Sequence, residues 1–222
     1  EPVVLNMHDL LMTQWEFGKP IFVAAFLFTL GTQIQLFITG TFMGVESAGV
    51  WRAMQNFALP MMQVIAAIGV LAVPVLSSEF GRDNYHALRS KGFRFMIVLA
   101  GMAGFYELIL LVFPFQIEHI LYNGKLAGYT WMIPWVGLTT LLTALEAGFS
   151  IMVRSFQKPV YHTIFGLIGA VSGLLFAPWF ISLWGLKGAV ASQLLVGIFV
   201  LGGTILMYLR WLPVQVTKPE GI

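Results

Sequence analysis

The sequence predicts an all-α integral membrane protein with six transmembrane helices, and three observations predict it. Hydrophobic residues make up 58% of the chain and charged residues 10%, against about a quarter charged in an average soluble domain. Mean hydropathy is +0.84, and the apolar residues fall into runs long enough to cross a bilayer. Lys and Arg are distributed unevenly between the links that join those runs. Lys19, Arg82, Arg89, Lys91, Arg94, Arg154, Lys158, Arg210 and Lys218 fall on one predicted side, and Arg52, Lys125 and Lys187 on the other. This positive-inside bias puts both ends in the cytoplasm.

Composition also excludes several classes of function. The chain has no cysteine, which removes disulfides, thiolate metal sites and cysteine nucleophiles. The net charge of +2 is accounted for by the basic links and does not point to a nucleic-acid partner. The chain opens at Glu1 without an initiator Met or a signal-like segment, so a segment with further sequence upstream is expected.

Residues 1–18 are too interrupted by polar side chains to span and are expected to lie at the cytoplasmic surface. A six-helix region over 19–210 and a cytoplasmic tail over 211–222 follow. The first span, 20–43, opens at Pro20, suited to a first helical turn. It carries Thr29, Thr32, Gln33, Gln35 and Thr39 on under half of its circumference. The link Gly44–Gly49 is short, which makes the first two spans an antiparallel hairpin.

The second span, 51–77, organises the reading of the rest. At helical spacing Arg52, Gln55, Asn56 and Gln63 fall within one narrow arc on an otherwise apolar helix. A charged side chain in hydrocarbon costs roughly 2.5 to 3.5 kcal/mol on insertion scales. The arc is therefore expected to face a protein interior or a watery cavity. Pro60 and Pro74 are expected to kink this span. The polar link after it, with Arg82, Arg89, Lys91 and Arg94, fits either a cytoplasmic loop or a contact with anionic headgroups.

The third span, 95–115, holds Glu107 on a face shared with Ala100 and Gly104, where a neighbouring helix can approach closely. An outer loop with Glu118, His119 and Lys125 leads to the fourth span, 129–153. There Thr139, Thr143, Glu146 and Ser150 form a polar row that Arg154 extends. The fifth span, 159–182, starts at Pro159 and lines up His162, Gly166, Gly169, Gly173 and Ala177 as a close-packing face. Trp179 and Trp184 fit an interfacial belt. The sixth span, 188–209, ends at Arg210 and Trp211.

No pair among His8, His86, His119 and His162 has metal-ligand spacing, so no metal and no cofactor is expected. Ser150 with His162 is a weak match to a hydrolytic pair, because a serine on a threonine-rich helical face ordinarily bonds the backbone. A non-enzymatic role is expected. Arg52, Glu107 and Glu146 fit either ion pairing between helices or contact with a transported polar cargo. Long amide and hydroxyl stripes favour the cargo, since a moving polar solute needs continuous replacement of its water hydrogen bonds.

Three stretches resemble the polysaccharide flippase (Wzx-like) branch of the multidrug/oligosaccharidyl-lipid/polysaccharide (MOP) exporter superfamily. The first carries Phe17, Gly18 and Pro20; Gly40 and Gly44; Gln55 and Asn56; and Pro74 with Ser77. The second runs from Met152 through the basic turn to Ile181. The third carries Trp184, Gly185, Gly188, Ala189, Ala191 and Ser192. Together they cover about residues 15–210. Gln35 departs from the family, whose members often have an Asp there. The resemblance implies one six-helix lobe of a MOP/MATE-like transporter, most consistent with the C-terminal half. It would work with an N-terminal lobe of the same polypeptide or a second copy, and move a polyprenyl-diphosphate-linked oligosaccharide across a bacterial inner membrane by alternating access. Its expected substrate-pathway residues are Arg52, Gln55, Asn56, Gln63, Gln33, Gln35, Glu107, Thr143, Glu146 and Ser150. A cation-coupled small-molecule exporter and a membrane scaffold subunit are the alternatives.

Overall fold

The computed structural model describes residues 7–82, 84–155 and 160–216, and these contain helices and short links but no strand. The helices are α1 Met7–Gln55, α2 Leu59–Phe80, α3 Tyr85–Val112, α4 Pro114–Tyr122, α5 Met132–Arg154 and α6 Val160–Val216. Short 3-10 turns lie at Asn56–Ala58 and Ala127–Tyr129. Four stretches are long and apolar enough to cross a membrane: Gln33–Phe80, Tyr85–Val112, Met132–Arg154 and Gly166–Arg210.

Two of those stretches reverse direction inside. Gly44 has φ 86 and ψ 168 within α1, and Gly185 has φ 57 and ψ −132 within α6. Positive φ of this kind is available to Gly at little cost and strains other residues. A Cβ built on Gly40 would lie 3.6 Å from the Ala48 Cβ, although eight residues of straight helix rise about 12 Å. The chain has therefore folded back at Gly44. The same holds at Gly185, where a Cβ on Gly188 would overlap the carbonyl oxygen of Phe180 and one on Gly169 would sit 3.5 Å from Val200. The stacked rings of Phe176 and Phe199, 5.4 Å apart, belong to the same antiparallel pairing. The two reversals meet, because a Cβ on Gly185 would come within 2.9 Å of the Met43 methyl.

The expected boundaries shift accordingly. Residues 7–18 continue the first span as one helix, and Pro20 falls inside α1 rather than at its first turn. The link expected at 44–49 shrinks to Gly44 alone. The helix expected to begin at 95 begins at Tyr85, because the Asn84 side chain caps it by accepting from the Ala87 N–H at 3.1 Å. It stops at Val112, ahead of Pro114. Pro74 lies inside a continuous α2. Residues 1–6, Lys158, Pro159, Lys218 and Glu220 lie outside the described residues.

Pro60 breaks the second span, and the break is well satisfied. Proline has no N–H to offer the Asn56 carbonyl. The chain tightens into a 3-10 turn in which the Leu59 N–H donates to that carbonyl instead. Tyrosines from α3 and α4 reach the same bend. Tyr106 Oη donates to the Phe57 carbonyl at 2.6 Å and Tyr122 Oη to the Ala53 carbonyl at 3.1 Å.

α5 is the central element: 56% of its apolar window is buried, against 17% to 22% in the other three candidate spans. Around it, Trp51, Met54, Phe57, Met61, Ile65, Ala72 and Leu76 turn one face of the second span inward. They meet Ile133, Val136 and Ile181 toward the Gly185 end, and Leu99, Met152 and Tyr208 toward the basic end.

Gly185→Ala would combine a strained backbone with a contact against Met43. It is expected to destabilise the protein by about 1 to 3 kcal/mol. Gly101→Ala, in a helix with open space around it, is expected to be neutral or stabilising. Reversible unfolding followed by circular dichroism compares the two, and equal losses would show that Gly185 is not under conformational constraint.

Candidate functional site

The sequence-predicted polar residues separate into two groups. Arg52, Asn56 and Gln63 are exposed, along with Leu59 and Val70 on the same helical surface. Gln55 is half-buried beside them. This arc is the reverse side of the Trp51, Met54, Phe57, Met61 row, so it lies on the outside of the helical body and not in its interior. Asn56 is partly committed to the bend, its Nδ2 donating to Tyr122 Oη at 3.1 Å.

The other residues sit between helices. Gln35 is buried on α1, where its Nε2 donates to Ser192 Oγ of α6 at 3.4 Å, while Thr39 Oγ1 donates to the Gln35 carbonyl at 2.7 Å. Gln33 is half-buried. On α5, Thr143 Oγ1 donates to the Thr139 carbonyl at 2.9 Å, and Thr204 Oγ1 of α6 donates to Glu146 Oε1 at 3.5 Å. Ser150 is 2% exposed and close to the Glu146 carboxylate. Arg154, a further turn along, is exposed at the helix end. The side chain of His162 lies outside the described residues, so its pairing with Ser150 has no geometry.

Glu107 meets a neighbouring helix through a glycine, but not its own. Gly104 has open space around it, whereas a Cβ on Gly137 of α5 would overlap Glu107 Oε2. That oxygen is buried and has no hydrogen-bond partner among the described residues. Two further contacts share the register of this pair: Met152 fills the notch at Gly92, and Met96 fills the notch at Gly148. A carboxylate thus occupies a position of the α3/α5 seam where the other two knobs are methionines.

Sequence reasoning overlooked the second limb of α6. Gln193, Thr204 and Tyr208 lie within about 60° of one another at helical spacing. Gln193 Oε1 and Tyr208 Oη are buried without partners among the described residues, and Tyr208 packs edge-on to Phe93 and Phe149. Their spacing was the available signal.

Hollows on the surface of the described residues include one at the Pro60 bend and one at the α4 end. One, about 240 Å³, is lined by Pro60, Met61, Val64, Met102, Phe105, Tyr106 and Ile109 at the Pro60 bend. The other, about 630 Å³, is lined by residues including Phe115, Glu118, His119 and Gly124 at the α4 end. Neither contains a residue of the polar arc. No cluster of three or more His, Cys, Asp or Glu side chains suited to a metal occurs among the described residues.

No family model, curated protein or solved structure matches this chain.

Ser192→Ala is expected to weaken the α1/α6 contact by about 0.6 to 1.7 kcal/mol, the range for interhelical hydrogen bonds in membranes. Glu107→Met is expected to act the other way. It removes an unpartnered buried oxygen and supplies the knob its neighbours use, a gain of about 1 to 3 kcal/mol. The same unfolding measurement reads both, and destabilisation by Glu107→Met would mean that the carboxylate has a partner in the folded protein.

Proposed function

We propose that the chain is a six-crossing lobe of a flippase for polyprenyl-diphosphate-linked oligosaccharides in a bacterial inner membrane, with both chain ends cytoplasmic. The count of six follows from treating each glycine reversal as the end of one crossing. The limb over residues 20–43 is about 36 Å long at 1.5 Å per residue, enough for a hydrocarbon core of about 30 Å.

The observation that carries the reading is the exposed arc of Arg52, Asn56 and Gln63 along a membrane-length apolar helix. Such side chains are costly against lipid, so a watery pathway or a second wall lies opposite them. That wall is an N-terminal lobe of the same polypeptide or a second copy of this one. Arg52 would attract diphosphate or acidic sugar, and the amides would replace water around the glycan. Glu107, Glu146, Thr143, Ser150 and Gln35 would act from within the lobe, as groups that set helix positions during alternating access. The resemblance to the flippase family supplies the substrate class.

A membrane scaffold is the second reading. The Gln35–Ser192 and Glu146–Thr204 contacts favour it, since those side chains are occupied in holding helices together.

The absence of cysteine makes single-cysteine labelling direct. Cysteines at 52, 56 and 63 are expected to react with a membrane-impermeant maleimide in permeabilised cells. Cysteines replacing Phe105 and Leu108, which are 66% and 54% exposed, are expected to stay unreactive in lipid. An unreactive cysteine at 63 would remove the pathway and leave the scaffold. Cargo is read separately, from cells lacking the parent gene. Accumulation of a lipid-linked oligosaccharide in the cytoplasmic leaflet, reversed by the wild-type gene but not by one encoding Arg52→Ala, is the expected result. Full complementation by Arg52→Ala would remove that residue from the pathway.

A further inference from the structure

The first three turns of α3 and the turn before them carry basic groups, of which Arg82, Arg89 and Arg94 make no ion pair among the described residues. Arg82, in the turn before the helix, and His86, Arg89 and Arg94 are all exposed. His86, Arg89 and Arg94 occupy under half of the helix circumference at 100° per residue. Lys91, the remaining basic residue of the stretch, points elsewhere: its Nζ pairs with Glu79 Oε1 of α2 at 2.6 Å. Lys91 takes the direct contact with that carboxylate, and Arg82 acts on it only through its charge. Among the described residues no acid pairs with Arg82, Arg89 or Arg94.

The surroundings add two features. The first turn of α3 contains no acidic residue and is capped by Asn84, so the positive end of the helix dipole adds to the basic groups. Arg89 lies over the Phe93 ring at 5.8 Å, which restrains a long side chain that would otherwise lose freedom on binding.

The position of these groups along the helix identifies what they meet. One turn beyond Arg94 the exposed surface of α3 becomes apolar: Ile97, Val98, Met102, Phe105 and Leu108 are all exposed. From Arg94 to Ile97 the rise is about 4.5 Å. The change from basic to apolar on one continuous outward surface is therefore abrupt, and it marks the depth at which a leaflet's phosphate layer passes into its acyl chains. A soluble anion could meet the arginines. An amphiphile whose anionic head is joined to a hydrocarbon tail matches both halves of the surface.

From this juxtaposition we propose that Arg82, His86, Arg89 and Arg94 form a binding site for the phosphodiester headgroup of an anionic phospholipid, whose acyl chain lies along Ile97 and Val98. The planar guanidinium groups suit bidentate contacts to phosphate oxygens. The site needs only that α3 crosses a bilayer, so it stands apart from what the protein transports.

Native mass spectrometry of the purified whole chain in detergent, supplied with equal amounts of phosphatidylglycerol and phosphatidylcholine, tests the site. Wild type is expected to retain phosphatidylglycerol preferentially. Arg82→Gln/Arg89→Gln/Arg94→Gln is expected to lose that preference, by about fivefold for each arginine that contributes. Lys125→Gln/Lys187→Gln removes basic charge from the opposite end and is expected to keep it. If the triple arginine variant does not fold, wild type at low and high salt gives the answer, because the preference should fall steeply as salt rises. A wild type without preference, an equal loss in the arginine and lysine variants, or a preference insensitive to salt would overturn the proposal. So would retention of a polyprenyl diphosphate without selection for phosphatidylglycerol.

Discussion

The seam between α3 and α5 holds the rest of the structure in place. Three side chains of the pair enter three glycine notches in one antiparallel register, Met152 at Gly92, Met96 at Gly148 and Glu107 at Gly137. In a bilayer, helices are not pressed together by the hydrophobic effect, because lipid tails are as apolar as leucine. Close fit has to supply the attraction, and a glycine notch lets one helix contact another at its backbone. With α5 placed by this seam, α6 packs against it as well, and a Cβ built on Gly197 of α6 would lie 3.4 Å from Leu142.

The two glycine reversals have a different role, since they decide which surfaces remain open. Each turns a helix back on itself at a single residue, and Met43 against Gly185 joins the turns at one end of the molecule. Because the α1 reversal leads directly into the Pro60 bend, the helix that follows presents Trp51, Met54 and Phe57 inward and Arg52, Asn56 and Gln63 outward. The tyrosines at that bend fix its direction by occupying the carbonyls it leaves loose. An outward polar arc on a membrane-length helix is an incomplete surface, and the proposed partner lobe is the element that would complete it.

Some of this was legible in the residues themselves. Gly44, Pro60 and Gly185 each carry a backbone constraint that works locally, and each bends or reverses the chain where it stands. The close-packing face of the fifth span is also realised, with Gly169 against Val200 and Ala177 fully buried. Glu107 is legible as an acid at a small-residue contact, but the notch it fills belongs to Gly137, thirty positions away, and not to Gly104 on its own helix. The carbonyl caps from Tyr106 and Tyr122 and the Gln35–Ser192 contact join residues far apart in the chain, so no local pattern announces them.

Sequence by itself determined the helical class, the apolar stretches, and the angle each polar side chain takes around its own helix. Those follow from composition, backbone sterics and helical period. Only the tertiary structure decided which way each arc faces. In a soluble protein an apolar stripe marks the core, but here every helix is apolar on most sides and solvent quality does not separate inside from outside. The choice passed to steric fit between particular notches and knobs, which placed Glu107 and Glu146 between helices and left Arg52, Asn56 and Gln63 on the open side.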